Sequence, residues 1–135
     1  MRKITFITLV MILGMTSVSF GEQEVLHLYK WEFSDGVRWK SIGLQYEHLQ
    51  YKGETKNGLP HGIGYTYMIL DENVWYSGHW ENGLRHGEGI MRYTDSIFEG
   101  EWKEGKRWTG FQREKGGDNK KITGTYEKGV YKKLD

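Results

Sequence analysis

From Tyr29 onward, large apolar residues recur at alternate positions over short stretches, and each stretch gives way to a polar pair that ends in glycine. Alternation with a period of two marks a strand with one buried and one solvated face, and Asn-Gly or Asp-Gly between such runs marks a tight hairpin turn. Five stretches align without gaps: Tyr29 to Gly36, Tyr51 to Gly58, Tyr76 to Gly83, Phe98 to Gly105 and Ile122 to Gly129. They start at 29, 51, 76, 98 and 122, in steps of 22, 25, 22 and 24 residues. The first position is Tyr29, Tyr51, Tyr76, Phe98 or Ile122. The third is Gly53, Gly78, Gly100 or Gly124, with Trp31 in the first stretch, and the eighth is always Gly, at 36, 58, 83, 105 and 129. A fixed period in the twenties is the mark of stacked structural repeats.

Side chains at positions one, three and five share one face of a strand. That face reads Tyr29-Trp31-Phe33, Tyr51-Gly53-Thr55, Tyr76-Gly78-Trp80, Phe98-Gly100-Trp102 and Ile122-Gly124-Tyr126, so two large residues flank a gap. The glycine is expected to leave room for a ring from the neighbouring unit to lie against the backbone. Lys52, Glu54, Glu81, Glu99, Glu101 and Lys103 fall on the other, solvated face. Each unit is therefore expected to be one β-hairpin. The expected fold is all-β, with tandem antiparallel hairpins stacked into an elongated, curved single sheet. At ~4.8 Å per strand each unit adds roughly 10 Å, and five make a sheet about 45 to 50 Å long.

Behind each turn runs a second pattern, clearest as Leu59-Pro60-His61-Gly62-Ile63-Gly64 and Leu84-Arg85-His86-Gly87-Glu88-Gly89. It decays outward: the fourth unit has Lys106-Arg107-Trp108-Thr109-Gly110, and the first and last are weaker still, as capping units of an array are. Aromatic, any residue, Gly, four residues, Gly, then a His-Gly-x-Gly tail resembles the MORN (membrane occupation and recognition nexus) repeat family. The resemblance is close over Tyr51 to Gly64 and Tyr76 to Gly89 and partial in the fourth unit. It implies a repeat array with membrane lipid as a partner.

Arg2 and Lys3 precede an uncharged run from Ile4 to Gly21, with Ser19 and Gly21 at the small-residue positions of a cut before Glu22. Residues 1–21 are expected to be a secretory signal peptide, with an uncleaved anchor as the alternative, and 22–135 the repeat domain. Export would leave the domain periplasmic, secreted or cell-surface associated. Loss of Arg2 and Lys3 takes the 19 basic residues to 17 against 18 acidic, a net charge of −1. No basic patch for nucleic acid results, nor the polybasic cluster that anionic lipid normally requires. With no Cys, the 135-residue chain can form no disulfide and carries no lipid-modified Cys.

His61 and His86 occupy equivalent places in successive units and could approach each other, but two imidazoles fall short of the three or four ligands of a zinc site. They are assigned to the repeat framework with Gly58, Gly62, Gly64, Gly87, Gly89, Gly105 and Gly129. No nucleophile motif or phosphate loop is present, and the acids follow the repeat. No catalytic, cofactor or metal residues are therefore expected. The leading expectation is an exported surface for a protein partner or a second copy of the chain. A different class of function, a cell-wall glycan or small-ligand binder, would use open aromatics. Trp39, Trp75 and Trp108 are its candidates because they fall outside the hairpin-face positions.

Overall fold

The computed structural model describes residues 24–44, 46–70, 75–116 and 121–135. The expected signal segment, 1–21, and the inter-unit joints Asp71 to Asn73 and Gly117 to Asn119 lie outside the described residues. Ten strands make one antiparallel sheet. They are β1 (Glu24–Phe33), β2 (Gly36–Lys40), β3 (Gln50–Lys56), β4 (Leu59–Tyr67), β5 (Trp75–Glu81), β6 (Leu84–Arg92), β7 (Ser96–Lys103), β8 (Lys106–Glu114), β9 (Ile122–Glu127) and β10 (Val130–Lys133). From β3 to β10 the strands lie side by side in chain order, as stacked hairpins must. No helix is present among the described residues.

The turns follow the chemistry of their residues. Asn57-Gly58, Asn82-Gly83, Glu104-Gly105 and Lys128-Gly129 all have positive φ at both positions, the geometry whose twist matches that of the flanking strands. The last three of these turns are hooked to the preceding unit: Gly83 N donates to Pro60 O at 2.8 Å, Gly105 N to Arg85 O at 2.8 Å and Gly129 N to Trp108 O at 2.9 Å.

The main hydrophobic cluster lies on one face of this single layer, while Tyr29 and Ile97 are buried on the other. Tyr51, Tyr76 and Phe98 are wholly buried, and Trp80 and Trp102 nearly so. Their rings interlock edge to face in one chain, Tyr51–Trp80–Tyr76–Trp102–Phe98–Tyr126, with centroids 5.2 to 5.3 Å apart and interplanar angles of 77° to 90°. Edge-to-face contact sets the positive rim of one ring on the negative face of the next. The indole N–H groups also find partners, Trp80 Nε1 donating to Gly64 O at 3.2 Å and Trp102 Nε1 to Gly89 O at 3.3 Å.

The glycines serve this packing differently from the expectation. The ring over each tail glycine comes from the same unit: a Cβ on Gly64 would sit inside the Tyr51 ring, and one on Gly89 inside the Tyr76 ring. The third-position glycine instead faces the cross-strand backbone, and a Cβ on Gly78 would lie 2.5 Å from both Glu88 O and Gly89 Cα. Gly53 pairs with Gly64, Gly78 with Gly89 and Gly100 with Gly110, so two bare backbones meet while the Tyr or Phe ring slides across them.

The first unit departs from the array. β1, rather than β2, pairs with β3, so the first hairpin is inverted. Its two-residue loop is Ser34-Asp35, because Phe33 pairs with Gly36, one position earlier than in the other units. A one-residue slip turns every side chain to the opposite face. Leu28 is the residue facing Tyr51, and Leu26 and Leu28 join the core, whereas Tyr29, Trp31 and Phe33 lie on the outer face with Gln50, contrary to the expected alignment. The hairpin also folds over the core face. Trp39 of β2 reaches Tyr51 and Trp80, each at 5.9 Å, and donates from Nε1 to Gly83 O at 3.3 Å. In the last unit Ile122 is 41% exposed, and the Tyr131 ring covers Gly124 in its place.

Candidate functional site

The outer face holds what the core leaves unused. Its side chains come from alternate positions of every strand, and cross-strand register lines them up. One row runs Lys52, Tyr65, Ser77, Ile90, Glu99, Phe111 and Thr125. The tail strands β4, β6 and β8 each place a large apolar residue in it, so Tyr65, Ile90 and Phe111 recur every second strand. Tyr65 is 43% exposed, Ile90 36% and Phe111 53%, and Ile63 beside Tyr65 is 51% exposed. Residues with such exposure contribute little to the core, and Ser77 and Glu99 on the intervening strands separate them along the row.

At the β1–β4 end this surface is aromatic. His27 lies between Tyr29, with centroids 4.9 Å apart, and Tyr67, at 6.3 Å, and Tyr67 is 5.7 Å from Tyr65. A polar network underlies the rings: Gln50 Oε1 is 2.8 Å from His27 Nε2 and accepts from the Tyr67 hydroxyl at 3.2 Å. Burial, and next Tyr65, push the Tyr67 phenol up from its ordinary pKa, so it stays a neutral donor. Farther along β1, Trp31 stacks on His48 at 4.1 Å, and Lys40 Nζ lies 4.8 Å from the Trp31 ring centre and 5.0 Å from that of Phe33.

Tyr65, Ile90 and Phe111 escaped the sequence reading, which followed the first strand of each unit. Their signal was available in the tails, where Ile63 and Tyr65 alternate with Gly64 and Thr66, Ile90 with Gly89 and Met91, and Phe111 with Gly110 and Gln112.

The tail histidines sit at the junctions between units. His61 Nδ1 accepts from Asn82 N at 3.4 Å, and His86 Nδ1 accepts from Glu104 N at 3.3 Å, each reaching the turn of the next hairpin. The opposite nitrogen of His86, Nε2, is 3.3 Å from Glu81 Oε2. His61, His79 and His86 border a shallow groove of about 420 Å³ with Glu81 and Glu88. Among the described residues no group of three or more His, Asp or Glu is arranged to hold a metal ion. In the fourth unit Trp108 stands where the His would be, against Gly129 of the next turn, with Lys103 Nζ 4.6 Å from its ring centre.

Trp39, Trp75 and Trp108 therefore do not come together. Trp39 covers the core face, and Trp108 fills a junction near the turns. Trp75 lies on the outer face in register with Tyr67 and Arg92, its ring 5.2 Å from the Arg92 guanidinium.

Residues 51–67, 76–96 and 98–108 match the family model described as the MORN repeat. These segments are the β3–β4 and β5–β6 hairpins and most of β7–β8, the part of the sheet where the ring chain is regular. No curated protein matches the chain.

Proposed function

From a chain built on MORN repeats, units that generally mediate protein or membrane interactions in a family that is not an enzymatic one, we propose a non-catalytic interaction module of the cell envelope. It reaches the envelope by export on its first 21 residues and serves there as a scaffold for a protein partner or a second copy of itself. The observation that carries this reading is the exposed apolar row of Tyr65, Ile90 and Phe111, flanked by Ile63: one large residue per repeat on the face the core does not need. Membrane lipid is the weaker partner, since the mature charge of −1 supplies little attraction to an anionic surface.

A glycan-binding module is the second reading. Trp75, Tyr67 and Tyr65 on the outer face favour it, and Trp39 and Trp108 no longer contribute.

The test is crosslinked capture from the native envelope with the segment from Glu22 as bait, alongside a variant carrying I63S, Y65S, I90S and F111S. Capture that depends on the four residues supports the proposal, and equal capture by both baits overturns it. Elution of the wild-type capture by soluble wall glycan in place of a protein would favour the second reading. N-terminal sequencing of the native protein tests export, with Glu22 as the expected first residue.

A further inference from the structure

The core face carries two positive charges that no acid among the described residues answers. Arg85 of β6 and Arg107 of β8 hold equivalent places in the third and fourth units, opposite Trp80 and Trp102 respectively, and two strand spacings with a two-residue offset along the strands put their backbones roughly 12 Å apart. Each guanidinium lies over the ring of the next unit. Arg85 is 4.4 Å from the Trp102 ring centre and 5.7 Å from that of Tyr76; Arg107 is 4.7 Å from Tyr126 and 5.4 Å from Tyr93.

Their remaining partners are all neutral. Arg85 donates to Met91 Sδ at 3.6 Å and to Gly105 O at 3.4 Å, and Arg107 donates to Gln112 Oε1 at 3.2 Å. The carboxylate ion pairs among the described residues involve Lys30, Arg38, His86 and Arg113, and neither of these two arginines. Burial is the first cause that lowers the Arg85 pKa, and repulsion from Arg107 adds to it. A partly desolvated charge normally has a partner of opposite sign. Ring stacking holds the guanidinium groups in place without neutralising them, and a planar fork with free N–H groups suits a bidentate oxyanion.

We infer that Arg85 and Arg107 form an anion-binding site on the core face that takes a small soluble ligand bearing phosphoryl or carboxylate groups, held between the two guanidinium groups over the Trp102 ring. This site is separate from the apolar row on the opposite face and does not depend on the proposed partner.

The experiment follows the side-chain N–H NMR signals of Arg85, Arg107 and Trp102 in the segment from Glu22 while pyrophosphate, or in a second arm citrate, replaces chloride at constant ionic strength. Saturable shifts confined to these three signals are expected in at least one arm, and that arm identifies the anionic group. Arg107→Gln should weaken binding at least tenfold. Arg92→Gln, on the outer face, should leave it unchanged, and melting curves show that both variants fold. Shifts that never saturate, or binding that survives Arg107→Gln, would overturn the site. So would equal weakening by Arg92→Gln.

Discussion

The two faces of this sheet use the same residue types in opposite ways. On the core face, aromatic rings meet at 77° to 90° with centroids 5.2 to 5.3 Å apart, and each inner ring of the chain is locked between a ring of its own strand and a ring from the second strand along. On the outer face, rings lie within 15° to 37° of parallel at distances from 4.1 to 6.3 Å, and Phe33 and Tyr65 remain more than two-fifths exposed. Interlocking rings fill space and make the sheet cohere, whereas loosely stacked rings leave surface available. A single-layer sheet has no second layer to hide behind, so one face must be made dry by its own side chains and the other is free to serve contacts.

The comparison breaks most visibly at Trp102. Trp102→Ala should cost about 3 to 5 kcal/mol in a urea titration, because its loss opens a cavity between Tyr76 and Phe98. Gly89→Ala should cost roughly 1 to 3 kcal/mol by the same measurement, since the new methyl group must displace the Tyr76 ring.

Alkaline pH offers a third way in. Burial raises the pKa of Tyr51 and Tyr76 far above the ordinary tyrosine value, with Glu54 adding to the effect at Tyr51 and Arg85 opposing it at Tyr76. The unfolded chain therefore loses these protons first. Stability should hold below about pH 10 and fall as pH rises beyond it, and a Tyr51→Phe, Tyr76→Phe double variant should flatten that fall in urea titrations at pH 8 and 11. Smaller again is His86→Ala, which removes the acceptor for Glu104 N and should cost on the order of 1 kcal/mol in a thermal melt, while Trp108, with no such bond, marks a junction insensitive to the change.

The middle of the fold was legible because its rules are local. Tyr76, Gly78, Trp80 and Asn82-Gly83 each state their own strand face or turn, and the sheet repeats them. The inverted first hairpin was not legible, since Tyr29 to Gly36 keeps the spacing of a repeat while its turn closes one residue early at Ser34-Asp35. That choice depends on Leu26 and Leu28 finding Tyr51 and on Trp39 covering Trp80, contacts between residues far apart in the chain. The same limit applies to the outer row. Tyr65, Ile90 and Phe111 alternate visibly within their own strands, but only the register across five strands, β4 to β8, shows that they share a line. Trp39, Trp75 and Trp108 stood out in the sequence as leftovers, and three different local environments absorb them.

A urea titration of the I63S, Y65S, I90S and F111S variant beside wild type asks most directly whether the two faces have separate roles. The variant is expected to unfold within about 1 kcal/mol of wild type with an unchanged slope, because exposed positions away from packed contacts tolerate substitution. A loss as large as that of Trp102→Ala would mean that the outer rings also hold the sheet together, and would contradict the division of labour between the faces.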